Sequence, residues 1–427
     1  MRSFLLFTLS TISALALWAV LVFIGTTNGW TRKPLAPQGD APAFAAAAAK
    51  AIDTSYNGNA AFALLVDGAV ISEHFVSIGE PVDRDTLFQV GSLSKWIAAW
   101  GVMTLVDAGK LDLDEPVSSY LTRWQLPDSE FDNDDVTVRR LLSHTAGLTD
   151  GLGYAGFAPD GEIQSLEQSL TSAADASPGV DGRVQVGIEP GTVFQYSGGG
   201  YTLLQLLIEE VTGETFAAYM DHAVFQPLNM QRSTYVYVEN DVSNVAKSYD
   251  VDGTQATRFR FTGLAPTALY TTVADMTIFI QAHLKNQSGA PSGRDVLTPN
   301  TIKLMQKPHA SQMGLDIWGL GTILYAPNKD GGFVVGHDGN DEPAINSAVR
   351  FNPATGNGII ILETGNELMA TKIAGDWVFW EVETIDLFTF GMIAGDMIKV
   401  ILIGAAVIIL FALILGWRMI RRRRRAA

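Results

Sequence analysis

Cysteine is absent from the 427 residues. Disulfides, thiolate metal sites and a cysteine nucleophile are therefore excluded, and the redox compartment is left open. Histidine is scarce: six residues, with neither His-Glu-x-x-His nor any clustered spacing. No metal site or cofactor is expected from such a pattern. The Gly-x-Ser-x-Gly element of one large group of serine enzymes is missing as well. Basic residues are few, 29 Lys and Arg against 45 Asp and Glu, for a net charge of −16. Ten of the basic residues (Arg2, Arg32, Lys33, Lys399, Arg418 and Arg421 to Arg425) flank apolar runs at the two ends. Removing these ten from the 29 leaves 19 basic residues against 45 acidic ones in the middle, a net of −26. A surface of that sign repels nucleic acid and anionic headgroups, so nucleic-acid binding is not expected.

What the chain has in abundance is apolar sequence, 47% of its residues, enough for a large core. Both ends are apolar. Phe4 to Gly25 carries no charge and is long enough to span a bilayer as a helix. Phe23-Ile-Gly-Thr-Thr27 is a poor small-x-small cleavage site, which favours an uncleaved anchor (1–25) over a secretory signal. Val400 to Trp417 is likewise uncharged and is closed by a basic tail, 418–427. Positive charge stays on the cytoplasmic side of a span, so both termini are expected inside. The intervening residues then face the periplasm or exterior of a bacterial plasma membrane. A stretch at 386–399 is expected to lie at the interface ahead of the second span. There Gly391 and Gly395, with Gly404 beyond, could pack helices.

Residues 26–42, rich in Gly, Pro and polar side chains, read as a linker. An alanine-rich helix follows at 43–51. Ala61 to Val66 and Ala69 to Ser72 are apolar runs around Asp67-Gly68, a β-hairpin signal. Helical periodicity marks 95–108 and 202–211, each stopped by glycine. Late strands are predicted at 333–335, 347–351 and 358–362, with a final helix near 371–380. Strands at both ends and helices between them predict an α+β domain over 43–385. Its antiparallel sheet would be flanked by helices and carry a mostly helical part at about 115–265.

Ser92-Leu-Ser-Lys95 is a Ser-x-x-Lys element, a spacing that a chain this size also shows by chance. Its context is more telling, because Lys95 is the only charge between Thr86 and Val106. Burying an ammonium costs several kcal/mol, about, unless it is partnered or its pKa falls. On a helix, positions i and i+3 share a face, which sets the amine beside the Ser92 hydroxyl to take its proton. The helix start also points free N–H groups at charge developing on a substrate. The competing reading is a serine cap with a lysine reaching for solvent. Downstream, Tyr196 ends an extended run before Ser197, Gly198, Gly199 and Gly200. A phenol near a lysine can shuttle protons, and a glycine turn admits substrate to the backbone. His337, in Gly-His-Asp-Gly339-Asn340, sits on a predicted strand edge. By itself it reads as a hydrogen-bonded structural residue.

Together these elements resemble the serine β-lactamase and penicillin-binding protein superfamily, in its class C and D-aminopeptidase-like branch. Asp85 to Lys95, Gly109 to Pro116, Val136 to Leu148, Pro227 to Met230 and Tyr270 to Asp275 are similar to that branch, and the resemblance covers about 45–380. It implies that Ser92 attacks a carbonyl to form an acyl-enzyme, with Lys95 and Tyr196 sharing proton transfer. It also implies that the Ser92 and Asn340 backbone N–H groups form the oxyanion hole. His337, Gly339 and position 198 would line the substrate. His144, in Leu-Leu-Ser-His-Thr, resembles a structural element beside the cleft.

One position departs from the pattern: Gly198 stands where Tyr-x-Asn has its asparagine. Histidine at 337, where the pattern takes lysine or histidine, fits peptidase or esterase members as readily as β-lactamases. The expected activity is therefore hydrolysis of a small-molecule or peptide substrate (peptide, D-aminoacyl or ester) ahead of efficient β-lactam hydrolysis. A true β-lactamase remains an alternative, and so does a retired enzyme that binds cell-wall fragments or a partner.

Overall fold

The computed structural model describes residues 2–151, 153–237, 243–285 and 289–426. The side chains of Arg423 to Arg425, expected in the basic tail, lie outside the described residues. Asp67 and Gly68 take φ angles of 49° and 73°, the left-handed pair that suits a two-residue turn between twisted strands. They fold β1 (Ala60–Val66) onto β2 (Ala69–Val76) as the sequence predicts. Two short strands, β3 (Phe88–Gln89) and β4 (Tyr270–Thr271), pair apart from the main sheet. The remaining strands are β5 (Ala310–Gln312), β6 (Leu315–Trp318), β7 (Ile323–Pro327), β8 (Phe333–Asp341), β9 (Ile345–Phe351) and β10 (Gly358–Thr364). The eight-stranded sheet runs β2-β1-β10-β9-β8-β7-β6-β5, antiparallel throughout, so the first hairpin pairs with the last strand.

Among the described residues the seven longest helices are α1 (Arg2–Thr27), α2 (Ala41–Ser55), α3 (Ser94–Asp107), α4 (Gly198–Thr212), α5 (Val273–His283), α6 (Met369–Val382) and α7 (Leu387–Ala426). The sheet is covered on both faces, which explains why its central strands are apolar without alternation. Ala61, Ala63, Leu65, Ile360 and Leu362 pack with α3, α4 and α5. The alternate residues Phe62, Leu64, Ile359 and Ile361 pack with Phe44 and Ala48 of α2 and Trp377 of α6. Small alanines let α2 lie close to the strands. Asp40 caps it by accepting the Ala43 N–H at 3.0 Å.

Between 115 and 265 helix alternates with irregular chain; the longer helical runs among the described residues there are α4 and a continuous stretch over 216–228 that widens to a π-turn at 221–225, and the rest are single turns. Irregular chain dominates 143–165 and 172–197, where Gly, Pro, Asp and Ser recur and favour turns over helix. The predicted linker is tied down: Trp380 donates to the Pro37 carbonyl at 2.8 Å, and Arg32 pairs with Asp376 at 2.5 Å.

Helices α1 and α7 are both long and apolar enough to cross a membrane. Phe7 meets Gly416, Trp18 meets Gly404 and donates to the Ile401 carbonyl at 3.2 Å, and Phe23 meets Phe390. The order is reversed, so the pair is antiparallel and both chain ends lie together. A Cβ on Gly404 would come within 2.1 Å of the Trp18 ring, whereas Gly391 and Gly395 face nothing within 4 Å. Of the three glycines considered for helix packing, only Gly404 has that role. The segment expected at 386–399 is no separate element but the first turns of α7, unbroken from Leu387.

Candidate active site

Ser92 lies in a single 3-10 turn (Gly91–Leu93) that runs directly into α3. Tight packing against β8 sets the position of this turn. Gly91 takes φ +54°, and a Cβ there would crowd the Asn340 carbonyl at 3.2 Å. A Cβ on Gly339 would fall 1.8 Å from the Val90 carbonyl oxygen, so only glycine fits. From β9, Ser347 donates to the same Val90 carbonyl at 2.8 Å. Ser94 locks the other side, donating to the Gly91 carbonyl at 2.6 Å and accepting the Leu269 N–H at 3.0 Å.

One turn on, Lys95 is 1% exposed, which rules out the reading in which it reaches solvent. Its Nζ lies 3.1 Å from Ser92 Oγ and donates to the Pro266 carbonyl at 2.8 Å. The Tyr196 and Tyr201 rings flank it at 4.8 and 5.8 Å. Burial lowers its pKa to about 7, opposed by the negative charges of Asp341 and Asp150. A lysine so placed is largely neutral just above neutrality and can accept the serine proton.

The part-buried Tyr196 reaches the same point. Burial raises its pKa, and Ser92 is its hydrogen-bonding neighbour. His144 holds this segment: its Nδ1 accepts the Ser197 N–H at 3.2 Å, its carbonyl accepts the Gln195 N–H at 2.8 Å, and its ring lies 4.4 Å from that of Tyr196. The structural part expected of His144 agrees with this placement. Asp150 closes the turn, accepting from the Ser197 hydroxyl and from the Gly199 N–H at 2.7 Å.

Gly198 opens α4, and a Cβ there would lie 3.2 Å from the Tyr154 ring. Tyr154, anchored to Thr202 at 2.7 Å, thus occupies the space beside position 198. His337 and Gly339 alternate with Asp338 along β8, so the His337 imidazole and the bare Cα of Gly339 lie on one face. The buried His337 has a pKa lowered to about 3, by burial first and then by the Lys95 charge, so it is a neutral imidazole. Asn340 follows on the same strand, opposite Asn346. In the Gly91–Leu93 turn the Leu93 N–H bonds the Val90 carbonyl at 3.3 Å, and Ser92, one residue earlier, is too near the helix start for its N–H to have an intrahelical acceptor. Ser92, Lys95, Tyr196, Gly198, His337, Gly339 and Asn340 are therefore gathered at one place, as expected.

Four contributors have no signature in the sequence. Asp341 accepts from Thr267 and from the Glu342 N–H at 2.9 Å, and burial raises its pKa to about 6. Asp150, Tyr154 and the Pro266 carbonyl complete the set. Asp150 and Tyr154 sit in irregular chain, Pro266 in a single helical turn and Asp341 at the very end of β8, where no periodicity points inward; only the position of Asp341 next to Asn340 could have drawn notice. Among the described residues no group of three or more His, Cys, Asp or Glu is placed to hold a metal ion.

Two cavities meet at Ser92 and Asn340. One, of about 690 Å³, is lined by Tyr196, His337, Trp318 and apolar side chains that include Leu387 and Phe388 at the root of α7. The other, of about 280 Å³, is lined by Lys95, Tyr154, Thr267, Asp341 and Glu342.

A family model described as Beta-lactamase matches residues 45–378. Penicillin-binding protein 4 of Amycolatopsis lactamdurans is 30% identical over 310 residues, 70% of this chain and 77% of that protein. Esterase EstB of Burkholderia gladioli is 32% identical over 178 residues, 38% of this chain and 41% of its own length. Among solved structures, the octameric penicillin-binding protein homologue from Pyrococcus abyssi superposes with a TM-score of 0.64 at 23% identity, covering 78% of this chain and 76% of that one. A D-stereospecific amidohydrolase from Streptomyces sp. gives 0.58 at 18% identity, covering 77% and 98%. At those identities the likeness speaks for the fold alone.

Proposed function

The chain belongs to the Beta-lactamase family of serine hydrolases, and on that premise we propose that it is a membrane-anchored serine hydrolase that forms an acyl-enzyme on Ser92. The observation that carries this reading is the fully buried Lys95 amine, 3.1 Å from Ser92 Oγ with its pKa near 7. Lys95 takes the serine proton as Oγ attacks a carbonyl, and Tyr196, beside both groups, relays it. The N–H groups of Ser92 and Asn340 stabilise the oxyanion. His337 and Gly339 line the substrate, with the neutral imidazole offering a hydrogen bond and no charge.

Peptide, D-aminoacyl and ester substrates rank ahead of β-lactams, because position 198 has no amide side chain and Tyr154 fills its surroundings. The likeness to an esterase supports the same ranking. An antiparallel α1–α7 pair, with arginines in the last turns of α7, supports cytoplasmic termini and a catalytic domain on the outer side. The test is labelling of the full-length chain with a fluorophosphonate. The adduct is expected on Ser92 and absent from Ser92→Ala; an adduct elsewhere, or one unchanged in that variant, overturns the reading.

A further inference from the structure

We propose that the larger cavity beside Ser92 receives an apolar acyl chain, so that the preferred substrate is an amphiphilic ester joining such a chain to a small polar alcohol. This rests on the serine-hydrolase reading above and names its substrate class.

The two cavities differ in chemistry, and they share the residues between which a scissile carbonyl must sit. The larger is walled by Phe194, Ile317, Trp318, Ile323, Leu387 and Phe388. Its one charged member and its buried amide are already engaged, and the buried His337 Nε2, which has no protein partner among the described residues, is left to meet the carbonyl end of the substrate. Asp338 is paired with Arg350 at 2.6 Å. The Asn346 amide donates to the Gly339 carbonyl and to Thr371 at 3.2 and 3.0 Å. An apolar chain entering there leaves no charge unpaired and gains burial along its length. About 690 Å³ is within the range of cavities that enclose a drug-sized ligand, far more than an acetyl group needs. The smaller cavity, about 280 Å³, carries Lys95, Asp341 and Glu342 and suits a compact polar group.

The direction of the substrate follows from its protons. The departing alkoxide needs one. Tyr196 lines the larger cavity, whereas Lys95, which first holds the proton from Ser92, lines the smaller; in this proposal Lys95 returns it directly to the alcohol. The alcohol therefore leaves through the polar side and the acyl chain stays in the apolar one. Ser92 Oγ bonds to the carbonyl carbon as its proton passes to Lys95. The bond from that carbon to the alcohol oxygen breaks, and the alcohol takes the proton. Water then cleaves the acyl-enzyme, releasing the carboxylic acid and restoring the Ser92 hydroxyl.

The test uses the full-length chain in lipid nanodiscs and p-nitrophenyl esters from acetyl to decanoyl, compared as kcat/KM. Burial of a methylene corresponds to about a fourfold gain, so kcat/KM is expected to climb by about that factor per carbon until the cavity is filled. Leu387→Trp narrows the cavity and is expected to lower the decanoyl-to-acetyl ratio at least tenfold, on the order of two methylenes. Ile317→Trp narrows it from a different element and guards against misfolding of the first variant. Because variants and wild type share the same nanodiscs, partition of ester into lipid cancels in the ratio. A series that is flat or falls with length in the wild type, or a ratio unmoved in both folded variants, overturns the inference while acetyl turnover leaves the serine-hydrolase reading standing. No turnover of any ester together with no label on Ser92 overturns both.

Discussion

If Lys95 accepts the Ser92 proton, the rate of acylation must follow the fraction of Lys95 that is neutral. Its lowered pKa, about 7, arises from burial and is held up by the negative charges of Asp341 and Asp150. Acylation should rise with pH with unit slope and level off above about pH 7. Asp341→Asn removes one of the two charges while keeping an oxygen that accepts from Thr267. Loss of a close opposite charge corresponds to about one pKa unit, so the inflection moves down toward pH 6. At pH 7, where Asp341 is mostly charged in wild type, about half of the wild-type lysine is neutral, against about nine-tenths in the variant, so the variant acylates about twofold faster relative to its own plateau; the difference narrows below pH 6 as Asp341 takes up its own proton. The assay is the second-order rate of labelling by a neutral fluorophosphonate across pH 5 to 9, which avoids titration of substrate. An inflection that stays at the wild-type pH, or moves upward, would refute Lys95 as the titrating base. A plateau already reached by pH 5 in wild type would do the same.

Gly339→Ala places a Cβ 1.8 Å from the Val90 carbonyl oxygen and so pushes the Ser92 turn off β8. Labelling should fall by at least about a hundredfold, since a misplacement of about 1 Å suffices for that; thermal melting reports whether the fold survives. Arg350→Met leaves Asp338 and Asp386 buried without their cation. A loss of about 3–5 kcal/mol in denaturant titrations is expected, and a loss under about 1 kcal/mol would contradict the assignment. Glu363 is 1% exposed, with Oε1 accepting the Ala370 N–H at 2.8 Å and a pKa raised to about 8 by burial. A carboxyl whose folded pKa exceeds its unfolded one stabilises fully below the unfolded value. That contribution is lost as pH rises through the folded one. Stability should therefore decline from about pH 4.5 to pH 8, and Glu363→Gln should flatten that decline.

Much of the fold is legible in the sequence because its signals are local. The Asp67-Gly68 turn, the late strands β8, β9 and β10 and the helix stops at glycine each depend on a few neighbouring residues. The short strands β5, β6 and β7 escape notice for the same reason. They have three to five residues each, broken by Met313-Gly314 and by Gly319-Leu320-Gly321, too short to establish a period. The helical reading of 115–265 holds for α4 and for 216–228 and gives way to irregular chain where tertiary contacts replace periodicity. Irregular chain there is held by side chains such as His144 and Asp150, whose partners lie about fifty positions away. The site follows the same division. Ser92, Lys95 and Tyr196 announce themselves by spacing and by an isolated charge, whereas Asp341, Tyr154 and the Pro266 carbonyl matter only after folding has carried them to Lys95.

The same folding links the reacting centre to the apolar helix at the end of the chain. Arg350 on β9 is fully buried. It donates to Asp338 from two nitrogens at 3.0 and 2.6 Å, and it reaches Asp386 at 3.4 Å. Asp386 in turn caps α7, accepting the Phe388 and Thr389 N–H groups at 2.8 and 3.0 Å. One guanidinium therefore sets the distance between the strand that carries His337 and Gly339 and the helix turn that carries Leu387 and Phe388. Desolvating three charges is a poor route to stability alone, since apolar packing of equal volume serves as well or better. What the triad does provide is register: the planar fork accepts few geometries, and each fixes a strand and a helix together. A cavity with one wall on β8 and another on α7 keeps its shape only if those walls keep their spacing. The buried charge is thus best understood as the device that makes the root of α7 part of the catalytic domain.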